Sequence, residues 1–167
     1  MATTVYLSLG SNVGDREENL RSAITKLRDL GEIAAVSSFY ETEPVEFTAQ
    51  PWFLNCAVAV RTELTAEIFL SKIQAIEQQM GRRRIQPKGP RNIDIDILLF
   101  GASVIATLQL QIPHPAMHER RFVLEPLAEI APDMRHPVLK KTVRELLQTL
   151  PAATGKVKKS SNHAAFK

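Results

Sequence analysis

Four runs of β-branched or alternating apolar residues, separated by two stretches of helical apolar spacing, predict an α+β domain with a mainly antiparallel sheet. The order strand, helix, strand, strand, helix, strand is the ferredoxin-like βαββαβ pattern. Helices packed on the sheet, and an extra C-terminal hairpin and helices, complete the expected architecture. The 167 residues suit one domain, 1–151, followed by a basic, flexible tail at 152–167. A hydrophobic fraction of 44% and a charged fraction of 23% exclude a disordered chain and a fibrous repeat.

Residues 3–9 are β-branched, aromatic and alternating, and read as the first strand. Residues 10–14 carry turn chemistry. Asp15 is placed to cap a helix, with Glu18 three residues on. Leu20, Ala23, Ile24, Leu27 and Leu30 form its stripe, and Gly31 stops it. Ile33 to Thr42 reads as a second strand and Phe53 to Thr62 as a third, joined by a loop marked by Pro44 and Pro51. Thr65 caps a second helix striped by Phe69, Ile73, Ile76 and Met80, with Leu64 and Phe69 as its staple. Ile93 to Phe100 is the fourth strand, and a hairpin runs from Gly101 toward Ile112. A helix is expected to start near Pro126. Thr142 and Glu145 form a capping box for the last one, which Pro151 closes.

The net charge of +3 falls to −1 once Lys156, Lys158, Lys159 and Lys167 of the tail are set aside. The basic balance therefore belongs to a terminus and argues weakly for nucleic acid. The single cysteine, Cys56, lies in an apolar run, where a buried inert thiol is expected. With no internal disulfide, no leader pattern and no apolar stretch of membrane length, a cytoplasmic protein is expected.

The richest segment is Gly89-Pro90-Arg91-Asn92-Ile93-Asp94-Ile95-Asp96. On a strand Asp94 and Asp96 share one face, with Cβ atoms roughly 7 Å apart. Paired carboxylates resist joint ionisation unless a cation lies between them, and Mg²⁺ suits such oxygen ligands. Alone, the pair reads as a solvated sheet face. Just before it, Arg82, Arg83, Arg84, Lys88 and Arg91 crowd residues 81–91 without an acid. Basic groups that clamp phosphates beside a metal-binding pair suggest phosphoryl transfer. No P-loop, no dinucleotide fingerprint and no zinc spacing is present, and no Ser or Cys has a triad-like setting.

Together with Leu9-Gly10-Ser11-Asn12, Ser37-Ser38-Phe39-Tyr40-Glu41-Thr42, Gln50-Pro51-Trp52-Phe53-Leu54-Asn55, Gly81-Arg82-Arg83-Arg84 and Ile112-Pro113-His114-Pro115, these motifs resemble the 6-hydroxymethyl-7,8-dihydropterin pyrophosphokinases of folate biosynthesis over about residues 4–150. The resemblance implies transfer of pyrophosphate from ATP to the pterin hydroxymethyl oxygen, releasing AMP. It implies two Mg²⁺ ions on Asp94 and Asp96, and Arg82 and Arg91 as catalytic phosphate contacts. ATP contacts would extend to Gln74, Glu77, Arg84, Lys88, His114 and Arg120. The pterin would lie among Thr42, Glu43, Val45, Phe53, Asn55 and Phe122, stacked between the two phenylalanines, with backbone groups at 42, 43 and 45 adding hydrogen bonds. Loops 43–51 and 82–91 would close over the substrates. The chain departs from the family pattern at Pro87-Lys88, where relatives often carry a basic residue and Trp.

ATP and the reduced pterin are thus the expected partners, with no nucleic acid, no membrane and a monomeric state. The competing readings are another Mg²⁺-dependent phosphoryl or nucleotidyl transferase, an RNA-binding module of the same fold, and a regulatory domain without catalysis. An RNA module would want a basic core and a basic–Gly–aromatic strand motif, and the chain has neither.

Overall fold

β1 (Thr3–Ser11) runs two residues past its expected end, because Gly10 and Ser11 keep pairing with Asn55 and Leu54. It belongs to a computed structural model that describes residues 2–44, 49–81, 92–152 and 156–160. α1 (Arg16–Leu27) is capped as expected: the Glu18 N–H donates to Asp15 Oδ1 at 3.1 Å. The helix ends at Leu27, and Gly31 serves another purpose. A Cβ there would meet the Arg61 carbonyl oxygen at 2.1 Å, so only glycine lets the chain pass so close to the strand that carries Arg61.

The second expected strand is two pieces, β2 (Glu32–Val36) and β3 (Tyr40–Thr42). The break has a local cause. The Ser37 N–H donates to the Ala57 carbonyl, but the Ala57 N–H donates to the Ser37 hydroxyl, each at 2.9 Å. A side chain thus takes the place of a ladder carbonyl and turns the strand. β4 (Phe53–Thr62) and α2 (Ala66–Gln79) follow, the latter capped by Thr65. β5 (Asp94–Phe100) closes the core motif. The sheet order is β5-β1-β4-β3, with β2 also along β4, and every pair is antiparallel.

One face of the sheet packs under α1 and α2, with Val5, Leu7, Leu9, Cys56, Val58, Val60, Ile95 and Ile97 meeting Leu20, Ile24, Phe69 and Ile73. The other face carries α3 (Arg121–Ile130) and α4 (Val143–Gln148), which bury Ala57, Leu98 and Leu99. α3 starts at Arg121, well before the expected position. Pro126 lies inside it. Burial of Val123 and Leu124 extends the helix toward its N-terminus and offsets the one backbone bond that proline cannot make. The capping box of α4 is present in both halves. The hairpin is β6 (Ile105–Ala106) paired with β7 (Gln111–Ile112).

A bulge interrupts β5. Tyr6 opposes Leu99 while Leu7 opposes Ile97. Leu98 and Leu99 therefore both reach the α3 side, and Phe100 returns to the α1–α2 side, edge-on to Phe69 at 6.2 Å. Within the tail expected to be flexible, residues 157–159 form a strand. β8 (Val157–Lys159) pairs antiparallel with β3, whose outer hydrogen-bonding edge would otherwise stand open. Among the described residues, no helix is long and apolar enough to cross a membrane.

Candidate active site

Register decides which side chains meet. Gly10 on β1 lies opposite Asp94 on β5 and Asn55 on β4, and Asn55 lies opposite Tyr40 on β3. The next row holds Asp96, Ser8 and Ala57. Residues opposite one another share a face, so Asp94, Asp96, Ser8, Asn55, Phe53 and Thr42 all project from the α3 side. Asp94 and Asp96 are half-buried there, while Ile93, Ile95 and Ile97 fill the opposite core, as the alternation predicted. Two strand spacings, about 10 Å, separate Asp94 from Asn55.

Asn55 is 5% exposed and tightly held. Its Nδ2 donates to the Leu9 carbonyl at 3.2 Å, and its Oδ1 accepts from the Thr42 hydroxyl. The amide lies over Gly10. A Cβ on residue 10 would fall 2.6 Å from Asn55 Nδ2 and 3.5 Å from the Phe53 ring. The bare glycine is what makes room for this side chain. Ser11 accepts from Asn19 at 3.1 Å, tying the strand end to α1. Asn12 donates to Gln50 at 2.8 Å and to the Pro51 carbonyl at 3.0 Å, fixing the entry to β4.

Three further expected residues lie in the segment leading into α3 and in its first turn. The His114 N–H donates to the Leu98 carbonyl at 2.9 Å, two positions beyond Asp96. Its Nδ1 accepts from the Ala116 N–H at 3.2 Å. The Arg120 guanidinium stands over the Phe122 ring, 5.5 Å from its centre. On the far side of the sheet, Glu77 accepts the Ile95 N–H at 2.9 Å and so anchors the start of the aspartate strand to α2. Gln74 is exposed on α2, on the opposite face from Asp94 and Asp96. Val45, Arg82, Arg84, Lys88 and Arg91 lie outside the described residues.

The family model for 7,8-dihydro-6-hydroxymethylpterin-pyrophosphokinase (HPPK) matches residues 6–132. The chain belongs to this family. A relative from Aquifex aeolicus, named as the same pyrophosphokinase, is 44% identical over 142 residues, covering 85% of this chain and 89% of its own. One from Bacillus subtilis is 48% identical over 132 residues, covering 78% and 79%. The HPPK-DHPS protein of Plasmodium falciparum shares the fold, with a TM-score of 0.71 at 19% identity over 89% of this chain. This chain spans 43% of that longer one. HPPK enzymes are pyrophosphokinases of folate biosynthesis, and this chain is one of them.

Several residues of this HPPK that shape the site carried no signal in the sequence beyond their motif. Glu129 of α3 accepts from the Tyr40 hydroxyl at 2.6 Å, and from the Ser38 N–H and hydroxyl at 3.0 Å each. Burial acts to raise its carboxyl. The bonds from Tyr40 and Ser38, with Lys159 nearby, outweigh that and hold it below its ordinary 4.5. Burial, aided by Glu129, pushes the Tyr40 phenol well up. Glu129 and Phe122 are seven residues apart and share one flank of α3. Arg16 grips Glu41 through two 2.7 Å bonds and donates to the Trp52 carbonyl at 3.1 Å. Cys56 is buried, which pushes its thiol up and suits an inert core role. The Glu43 N–H donates to the Lys156 carbonyl at 2.9 Å.

Proposed function

We propose that this enzyme transfers the β,γ-pyrophosphoryl group of ATP to the hydroxymethyl oxygen of 6-hydroxymethyl-7,8-dihydropterin, as a Mg²⁺-dependent cytoplasmic monomer. The pterin oxygen attacks the β-phosphorus. The bond from that phosphorus to the bridging oxygen breaks, AMP leaves with the electron pair, and the hydroxyl proton passes to solvent. The carrying observation is the row Asp94–Gly10–Asn55, which sets a carboxylate and an amide on one face of the sheet, two strands apart.

The donor set fits a hard cation, since two half-buried carboxylates on one strand face offer only oxygen. Asp94 and Asp96 would hold Mg²⁺, which when bound neutralises triphosphate charge. Arg82 and Arg91, then Arg84 and Lys88, would contact phosphates through charge-assisted bonds. His114 and Arg120 would do so from the α3 side; Gln74 and Glu77 lie across the sheet on α2 and would reach the nucleotide only past the open edge of β5, where Glu77 already holds the Ile95 N–H. Asn55 has a second N–H and a second oxygen lone pair for the pterin edge. Phe53 and Phe122 would stack on the ring, and Thr42, Glu43 and Val45 would line it, Glu43 through its carbonyl. Catalysis is then mostly positioning and charge stabilisation.

Chromatography of a reaction with ATP, Mg²⁺ and the pterin tests this. Equal amounts of AMP and pterin pyrophosphate, both needing Mg²⁺, are expected; ADP would indicate a different phosphoryl transferase. Asp94→Asn and Asp96→Asn should each lower kcat by roughly 10²-fold or more with little change in Tm. Wild-type turnover at saturating Mg²⁺ in both variants would remove the metal assignment.

A further inference from the structure

The tail strand β8 meets the sheet at the wall expected to hold the pterin. β3 is only three residues long, yet it supplies Thr42, the hydroxyl partner of Asn55. On one side β3 is paired with β4. On the other, Tyr40, Glu41 and Thr42 lie opposite Lys159, Lys158 and Val157. The Glu43 N–H donates to the Lys156 carbonyl at 2.9 Å, and the Ser160 N–H donates to the Phe39 carbonyl at 2.8 Å. The Glu43 carboxylate reaches back to accept the Lys156 N–H at 3.3 Å. Val157 is half-buried opposite Thr42 and therefore shares its face. Lys159 shares the face of Tyr40 and helps keep Glu129 ionised.

We propose that β8 is a positioning strap for the pterin pocket, holding Thr42, and through it Asn55, in register from the outer edge of β3, with Glu43 as its latch. A three-residue strand paired on one side alone is weakly fixed, and pairing on both sides sets its register. The nucleotide side stands on β5, which β8 does not pair with, and on the N-terminal turn of α3, whereas β8 meets α3 near its C-terminal end, at Glu129. The strap should therefore act on one substrate and spare the other. This inference rests on the reading of the site given above.

Three variants of the full enzyme test it: Lys158→Pro, Lys158→Ala, and a chain ending at residue 155. The pairing alternates so that the Lys158 N–H faces β3, and proline removes it while alanine keeps it. Steady-state kinetics are measured well below each variant's own Tm. For Lys158→Pro and the shortened chain, the KM for the pterin should rise roughly tenfold while the KM for ATP stays within about twofold. Lys158→Ala should match the wild type in both. An unchanged pterin KM in folded Lys158→Pro, a parallel rise in both constants, or equal impairment in Lys158→Ala would each overturn the strap. If the wild-type enzyme itself forms no AMP from ATP and pterin, the reading of the site fails, and the strap with it.

Discussion

Alanine at position 10 tests the site through a single methyl group. The added Cβ would lie 2.6 Å from Asn55 Nδ2, against roughly 3.5 Å for an ordinary contact. The amide must therefore retreat by about 0.9 Å. Its bond to the Leu9 carbonyl, already 3.2 Å, and its bond from Thr42 both break. Two neutral buried bonds are worth about 2 kcal/mol together. Replacing a strand glycine returns about 0.5–1 kcal/mol of chain entropy, so the net destabilisation is about 1–1.5 kcal/mol. That lowers Tm by roughly 2–6 °C. The functional loss should be larger, because displacing a recognition group by about 1 Å can cost on the order of 10²-fold. The assay is kcat/KM for the pterin at saturating ATP, beside KM for ATP and a thermal melt. The double variant with Asn55→Ala should be no less stable than Asn55→Ala alone, since the two changes remove the same pair of bonds. Wild-type kcat/KM for the pterin in Gly10→Ala, with the Tm drop present, would refute the claim that Asn55 reads the ring.

Two other perturbations follow from the same geometry. Glu129→Gln puts an amide where a carboxylate accepts three hydrogen bonds, and should destabilise by about 1.5 kcal/mol, the low end for charged partners because solvent reaches the group. The Glu129 carboxyl is depressed in the folded state, so its contribution is complete above its ordinary 4.5 and is lost as pH falls through the folded value. The stability gap between wild type and Glu129→Gln should therefore close on acidification below about pH 4.5, as read by chemical denaturation across that range. Gly31→Ala forces a Cβ to within 2.1 Å of the Arg61 carbonyl oxygen and should cost about 3 kcal/mol, or roughly 6–12 °C in Tm, with kcat per folded molecule unchanged.

The core motif was legible because its apolar periods are clean and its caps explicit: Asp15, Thr65 and the Thr142–Glu145 box all cap as the sequence predicts. The facing of Asp94 and Asp96 was legible for the same reason, alternation along a strand. What stayed hidden depends on contacts between distant segments. The Ser37 hydroxyl splits a strand only because Ala57 is beside it. Pro126 looks like a helix start until Val123 and Leu124 find Leu98 and Leu99 to bury against. The tail reads as solvated lysines, and the open edge of β3 that recruits it is a product of the fold. Glu129 looks like any surface acid until Tyr40 and Ser38 close on it.

The sheet divides this molecule into compartments with different vulnerabilities. Ile24, Phe69 and Ile73 lie beneath a continuous wall of backbone, with the proposed site on the other side. Substitutions there should change how long the enzyme survives heating and leave the kinetics of each intact molecule alone. Val123, Leu124 and Leu98 share a face with Asp96, Asn55 and Phe122, and have no such screen. Drift in that second layer should register as altered substrate affinity before it registers as lost fold. A stability-guided redesign of this enzyme thus has a safe half and an exposed half.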